Sequence, residues 1–207
     1  MQAAANMLAP RRRRPKAPQR PDSITPHRCV VLAVDSGKQG GWSIWAEGRL
    51  VQFGELAGYD YDSVLAVVRA ATQLAELGGL PCVLVLEQPA TYRAGGKRSF
   101  TTILGLGASR GVWRAAWQGA RESERRIVDA PIATWRSRVL GRGSTRLTRD
   151  EVRPLEQHAA RGLVIVTLGP AHALKVGPDS APAVCIGKWA SHAGQVAKKL
   201  PKGAVSL

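Results

Sequence analysis

Two short apolar runs in this chain each end on an acid: Cys29-Val-Val-Leu-Ala-Val-Asp35 and Cys82-Val-Leu-Val-Leu-Glu87. Runs of this length and composition predict buried strands. Gly37, Gly40 and Gly41 after the first predict a tight turn, and Pro89 after the second takes the chain out of a sheet. Between them, Gly41-Trp-Ser-Ile-Trp45 alternates and Arg49-Leu-Val-Gln-Phe-Gly-Glu55 follows Glu47-Gly48, so a hairpin is expected and the first three strands form a meander. Tyr61 to Leu77 carries Val64, Leu65, Val67, Val68, Ala71, Leu74 and Leu77 at helical spacing and stops at Gly78-Gly79.

Helical spacing returns from about Thr101 to Arg121, with Leu104, Leu106, Val112, Trp113, Ala116 and Trp117. Arg125 to Val128 is expected to be a short strand. Ile132 to Leu140, Thr148 to Arg161 and Asp179 to His192 read as helices, and Leu163-Val-Ile-Val-Thr-Leu168 is apolar without a deciding period. Three strands, helix, strand, helix, strand and then helices predict an α/β domain, a mixed sheet with helices on its faces. We place it at residues 28–195. Residues 1–27 hold Arg11, Arg12, Arg13, Arg14, Lys16 and Arg20 against Asp22 alone, broken by prolines, which predicts a disordered basic arm. Such an arm is a tether on nucleic-acid phosphates, an inert tail or an organelle presequence, and the lack of amphipathic period favours the tether. Residues 196–207 form a basic tail.

Charge narrows the partner. The 207 residues hold 30 Lys+Arg against 15 Asp+Glu, a net charge of +15. That balance points to a polyanion, nucleic acid ahead of an anionic membrane. At 44% hydrophobic the chain can bury a core, which argues against wholesale disorder. Cys29, Cys82 and Cys185 lack CxxC spacing, so neither a disulfide framework nor a zinc ribbon is expected. No apolar stretch reaches the roughly 18 residues of a membrane span and no secretory pattern opens the chain, which predicts a soluble, cytoplasmic protein.

In a chain short of acid, two buried strands ending in Asp35 and Glu87 bring two anions to one sheet edge if they are adjacent and parallel. A strand-end carboxylate is usually a solvated cap; two together suggest oxygen ligands for a hard cation, Mg²⁺ or Mn²⁺, against a phosphate. Asp179, opening the last helix in Gly177-Pro-Asp-Ser-Ala-Pro-Ala-Val-Cys-Ile, is the natural third ligand, and N-capping is its ordinary alternative. The reading requires Asp35, Glu87 and Asp179 to converge.

Four blocks, Val30-Val-Leu-Ala-Val-Asp-Ser-Gly-Lys-Gln-Gly-Gly-Trp-Ser-Ile, Leu84-Val-Leu-Glu-Gln-Pro, Leu104-Gly-Leu-Gly-Ala-Ser-Arg-Gly-Val-Trp and Asp179-Ser-Ala-Pro-Ala-Val-Cys-Ile-Gly-Lys-Trp-Ala, resemble in order and spacing the RuvC-like Holliday junction resolvases of the RNase H-like superfamily. The resemblance spans roughly residues 29–192. It implies an RNase H-like five-stranded mixed sheet with helices on both faces, a homodimer, and two-metal cleavage of branched DNA to 5′-phosphate and 3′-hydroxyl ends. Asp35 matches the first-strand aspartate that binds both metals, Glu87 the glutamate ending the fourth strand, and Asp179 the first acid of the last-helix motif. The second acid of that motif falls on Pro182. Its loss leaves a three-acid site, a substitute ligand such as Asp129 or His172, or a binding protein that no longer cuts.

The resemblance also puts Arg136 and Arg149 among the basic residues near the metals, and Tyr92 close to an aromatic that stacks on junction bases. Arg93, Lys97, Arg98 and the series Arg136, Arg138, Arg142, Arg146 and Arg149 are expected to contact phosphates. Trp113 and Trp117 share a helix face; core packing is their ordinary role, and the family's use of this helix for dimer contact implies a dimer interface there. The alternatives are a junction-binding or genome-packaging accessory without catalysis and, far behind, an actin-like ATPase fold, for which the chain is too short.

Overall fold

The structure, a computed structural model, describes residues 28–37, 39–57, 60–88, 100–120 and 126–192. The basic arm, the basic tail and the loop carrying Tyr92, Arg93, Lys97 and Arg98 lie outside the described residues. Five strands, β1 (Val30–Asp35), β2 (Gln39–Ala46), β3 (Arg49–Ala57), β4 (Cys82–Gln88) and β5 (Ile127–Pro131), form one sheet in the order β3-β2-β1-β4-β5. β1, β2 and β3 pair antiparallel, and β1, β4 and β5 pair parallel. The predicted meander, crossover helix and mixed sheet are all present.

Because side chains alternate along a strand, the apolar runs feed two cores. Val30, Leu32 and Val34 of β1 meet α1 (Tyr61–Leu77) and α2 (Phe100–Ala120) on one face. Cys29, Val31 and Ala33 meet α3 (Ile132–Val139), α4 (Arg149–Leu168), α5 (Pro170–Ala173) and α6 (Ser180–Ala190) on the other. All three cysteines are buried thiols outside any disulfide, and burial pushes Cys29 up to about 12. No helix among the described residues is long and apolar enough to cross a membrane.

Local signals set the helix ends. Asp60 caps α1 by accepting from the Asp62 and Ser63 amides, and Thr148 with Glu151 forms a capping box on α4. Two elements differ from expectation. The undecided run Leu163–Leu168 completes α4, with Val164 buried and Leu163 and Leu168 packed on the core, until Gly169 ends the helix at φ 92°. The strand expected over Arg125–Val128 instead runs Ile127–Pro131.

Two glycines let α6 lie on β2. A Cβ on Gly41 would collide with the Asp179 carbonyl, and one on Gly187 with the Trp45 indole and Ser43 Oγ. Ser43 Oγ also donates to the Ala183 carbonyl at 2.7 Å. Gly41→Ala is therefore expected to destabilise the chain by about 1–3 kcal/mol in thermal unfolding. Gly162→Ala, at a helical position where a Cβ meets nothing within 4 Å, is expected to be neutral or to stabilise by up to about 1 kcal/mol.

Candidate active site

The β1–β4 register pairs Val34 with Leu86 and so carries Asp35 alongside Glu87. Both share strand parity with residues of the α3–α6 core, Val31 and Ala33 on β1 and Val83 and Val85 on β4. The two carboxyls project to that face and come within hydrogen-bond reach of each other. On the other side of Asp35, the paired residue is Gly41, and beyond it Glu55 on β3. Gly41 leaves the gap that receives the Asp179 backbone, so the glycine brings α6 to the acids.

Asp179 stands at the N-cap position of α6 without a side-chain capping bond. The helix has other arrangements for its first amides: Ser180 N–H donates to Glu55 Oε1 at 2.9 Å, Ala181 N–H to the Gly177 carbonyl, and Pro182 has no N–H. Gly177 is required because a Cβ there would meet the Glu55 carboxylate. Glu55 thus takes the first amide of the helix, and the Asp179 carboxylate, without a capping bond, lies in electrostatic reach of Asp35, whose charge it opposes. Pro182 itself is buried in α6.

The acid pair is charged against its environment. Each carboxyl keeps some surface, yet loss of water dominates: it raises Asp35 from 3.8 to about 6, reinforced by Asp179 and opposed by the Glu87 hydrogen bond, Arg149 and Arg136. Glu87 is pushed well above its ordinary value, by burial first and then by Asp35, while Arg136 and a hydrogen bond from Trp135 pull the other way. That bond, Trp135 Nε1 to Glu87 Oε1, is 3.1 Å long. Arg136 and Arg149 lie in electrostatic reach of the pair. Arg138, Arg142, Arg146 and Arg149 are exposed along α3, the following 3₁₀ turn (Arg142–Arg146) and the start of α4.

The proposed substitutes for the missing acid do not fill the place. Asp129 has the opposite parity to Val128 and Ala130, which point into the α3–α6 core, so it projects to the α2 side. There it pairs with Arg110 at 2.6 Å and Arg114 at 3.2 Å. His172 is exposed and lines a cavity of about 480 Å³ with Val51, Phe53, Glu55, Leu168 and Lys175, which contains neither Asp35 nor Glu87. The acid the sequence reading missed is Glu156, 2% exposed on α4, whose charge is felt by Glu87. Its signal was its place in the buried series Val152, Glu156, Ala160, Val164.

The expected dimer residues need correction. Trp113 and Trp117 are 3% and 0% exposed and packed in the chain's own α1–α2 core, so they cannot meet a second copy. The block Ser109-Arg110 serves the site instead. Ser109 Oγ reaches the Gly37 carbonyl after β1 at 3.5 Å, and Arg110 donates to the Glu87 carbonyl as well as to Asp129.

Two adjacent, oxygen-only carboxylates facing a third aspartate fit the donor set of a hard divalent cation. Asp179 does not close on them: among the described residues no three His, Cys, Asp or Glu side chains form a group that could hold a metal ion. As it stands the site is a pair with a neighbour.

A five-stranded mixed sheet with acids at the ends of adjacent parallel strands and a last helix packed across it is the RNase H-like fold, in the form the resolvase resemblance implies. The Thermus thermophilus RuvC structure is similar to this chain, with a TM-score of 0.51, 15% identity, and coverage of 81% of this chain and 96% of that one. The yeast mitochondrial Holliday junction resolvase Ydc2 also matches, with a TM-score of 0.42, 12% identity, and coverage of 86% and 84%. No family model and no curated protein matches the sequence. The likeness is one of fold.

The raised carboxyls bind protons more readily in the folded chain than in the unfolded one. Their contribution to metal-free stability is present at low pH and is lost as pH rises from 3.8 through about 6. In chelator, Asp35→Asn is expected to melt above the natural chain beyond about pH 6. Each kcal/mol relieved raises the midpoint by about 2–4 °C, and the two melting curves should converge as pH falls toward 3.8.

Proposed function

We propose that this chain is a metal-dependent, structure-specific endonuclease that cleaves Holliday junctions or other branched DNA. One observation carries the reading: an acid-poor chain spends two carboxylates on touching positions at the ends of adjacent parallel strands, within electrostatic reach of Arg136 and Arg149. Folding has no use for that repulsion. The likeness of fold to RuvC supports the reaction class.

Asp35, Glu87 and Asp179 would hold the Mg²⁺ or Mn²⁺ ions. Such a pair of ions activates the attacking water and stabilises the leaving alkoxide of an in-line displacement. Trp135 fixes the Glu87 carboxylate from one oxygen, and Arg110 holds the backbone behind it. Arg136 and Arg149 neutralise the phosphate as charge builds on it, and the exposed arginines after α3 position the DNA through its backbone without reading sequence.

The purified full chain is expected to nick a synthetic four-way junction in Mg²⁺ or Mn²⁺, leaving 5′-phosphate and 3′-hydroxyl ends, and Asp35→Asn to lose about 100-fold or more of the rate. Cleavage that survives this substitution overturns the site. Tight junction binding with no cleavage in either metal selects the second reading, a junction-binding protein, which the buried Pro182 and the open position of Asp179 favour.

The dimer belongs on the outer face of α2. Leu104, Gly107, Ala108, Gly111 and Ala115 are exposed along it, and a Cβ on Gly107 or Gly111 would meet nothing within 4 Å. A helix-interior glycine costs about 1 kcal/mol relative to alanine, and nothing among the described residues requires it. Close approach of a second α2 does require it, and a two-fold pair matches a junction's symmetry by placing two sites on opposed strands. Gly111→Leu is expected to yield monomers in sedimentation that keep the helical circular dichroism of the natural chain; a dimer that survives it places the contact elsewhere.

A further inference from the structure

Glu156 is a carboxylate on the buried side of a helix, and a well-packed apolar side chain in its place would often be at least as stable. Its Oε1 accepts from Arg136 Nε at 2.9 Å, with Arg136 only 20% exposed. The Trp135 ring lies 5.3 Å from Arg136 Cζ, and the same indole donates to Glu87. The guanidinium is thus held through Nε and against a ring, while neither Nη group is hydrogen-bonded to another described residue.

We propose that Glu156 is a positioning residue: by holding Arg136 Nε it fixes the guanidinium beside Asp35 and Glu87 with its Nη edge free to clamp a non-bridging oxygen of the DNA phosphate. The proposal rests on the nuclease reading. A guanidinium offers five donors in a rigid fork, so one carboxylate can occupy Nε while the Nη edge engages a second anion. Glu156 removes the motion of a long, flexible side chain before the phosphate arrives, which is where preorganised charge gains over a mobile one. It also explains a carboxylate buried so near two others: the positive charge of Arg136 offsets its burial. Lysine at 136 would fail in this role, because an ammonium has no fixed second edge.

The test uses the full chain, a synthetic four-way DNA junction, and Glu156→Gln, Glu156→Asp, Arg136→Ala and the double variant Arg136→Ala/Glu156→Gln. Junction affinity is measured in Ca²⁺, and single-turnover cleavage across a Mg²⁺ titration. Glu156→Gln is expected to slow cleavage about tenfold and Arg136→Ala about 100-fold, with the double variant no slower than Arg136→Ala, because residues acting as one unit are not additive. Glu156→Asp, which keeps the charge, should fall between Glu156→Gln and the natural chain. Added guanidinium ion should partly restore Arg136→Ala and leave the double variant unchanged, since the carboxylate that seats it is gone. Additive losses, a folded Glu156→Gln with the natural rate, or a Mg²⁺ requirement raised by Glu156→Gln but not by Arg136→Ala would overturn the proposal, the last by making Glu156 a ligand. If the natural chain binds junctions without cutting, the nuclease reading falls, and the same non-additivity in Ca²⁺ affinity decides the role of Glu156.

Discussion

Two carboxyls held in contact by the pairing of β1 with β4 constrain everything around them. Like charges at this spacing drive a proton onto the pair or demand a cation, and the fold surrounds them with means of bearing the strain. Trp135 donates to Glu87, Arg136 and Arg149 lend positive field, and Arg110 grips the Glu87 carbonyl from the opposite side of the sheet. These groups come from α2, α3 and α4, so the helices on both faces are oriented toward one edge. A site of this kind is costly in the empty protein, which is the usual mark of a place kept for chemistry.

Geometry at the level of single atoms admits the third acid. The sheet presents a row of Glu87, Asp35, Gly41 and Glu55 across four strands, and the missing side chain at Gly41 is the slot in which the start of α6 rests. Glu55 then accepts from the first amide of the helix, Ser180 N–H. The proline at 182 fits the same arrangement, because it removes a donor that would have competed for the Asp179 carboxylate.

The strands, the crossover order and the Asp35–Glu87 pair were legible because uninterrupted apolar runs ending on acids leave little freedom of interpretation. Asp179 and the two arginines were legible through motif order. Asp129 was misjudged because a strand expected to stop at Val128 leaves the next residue at an end, as Asp35 and Glu87 are; with the strand running to Pro131, alternation turns Asp129 to the α2 side. Leu163–Leu168 has strand-like composition that α4 overrides, since Val164 continues the buried stripe of Val152, Glu156 and Ala160. Trp113 and Trp117 show only that they share a face, and which face is covered depends on where α1 lies. Hydrogen bonds between distant segments, such as Trp135 to Glu87 and Arg136 to Glu156, leave no periodic trace.

Arg110 and Gly111 are consecutive residues that look in different directions. Arg110 reaches under the sheet to Glu87 and Asp129, while Gly111 lies on the bare outer surface of the same helix. The exposed face of α2 is thus tied to the backbone of a strand-end carboxylate through a single peptide unit and one side chain.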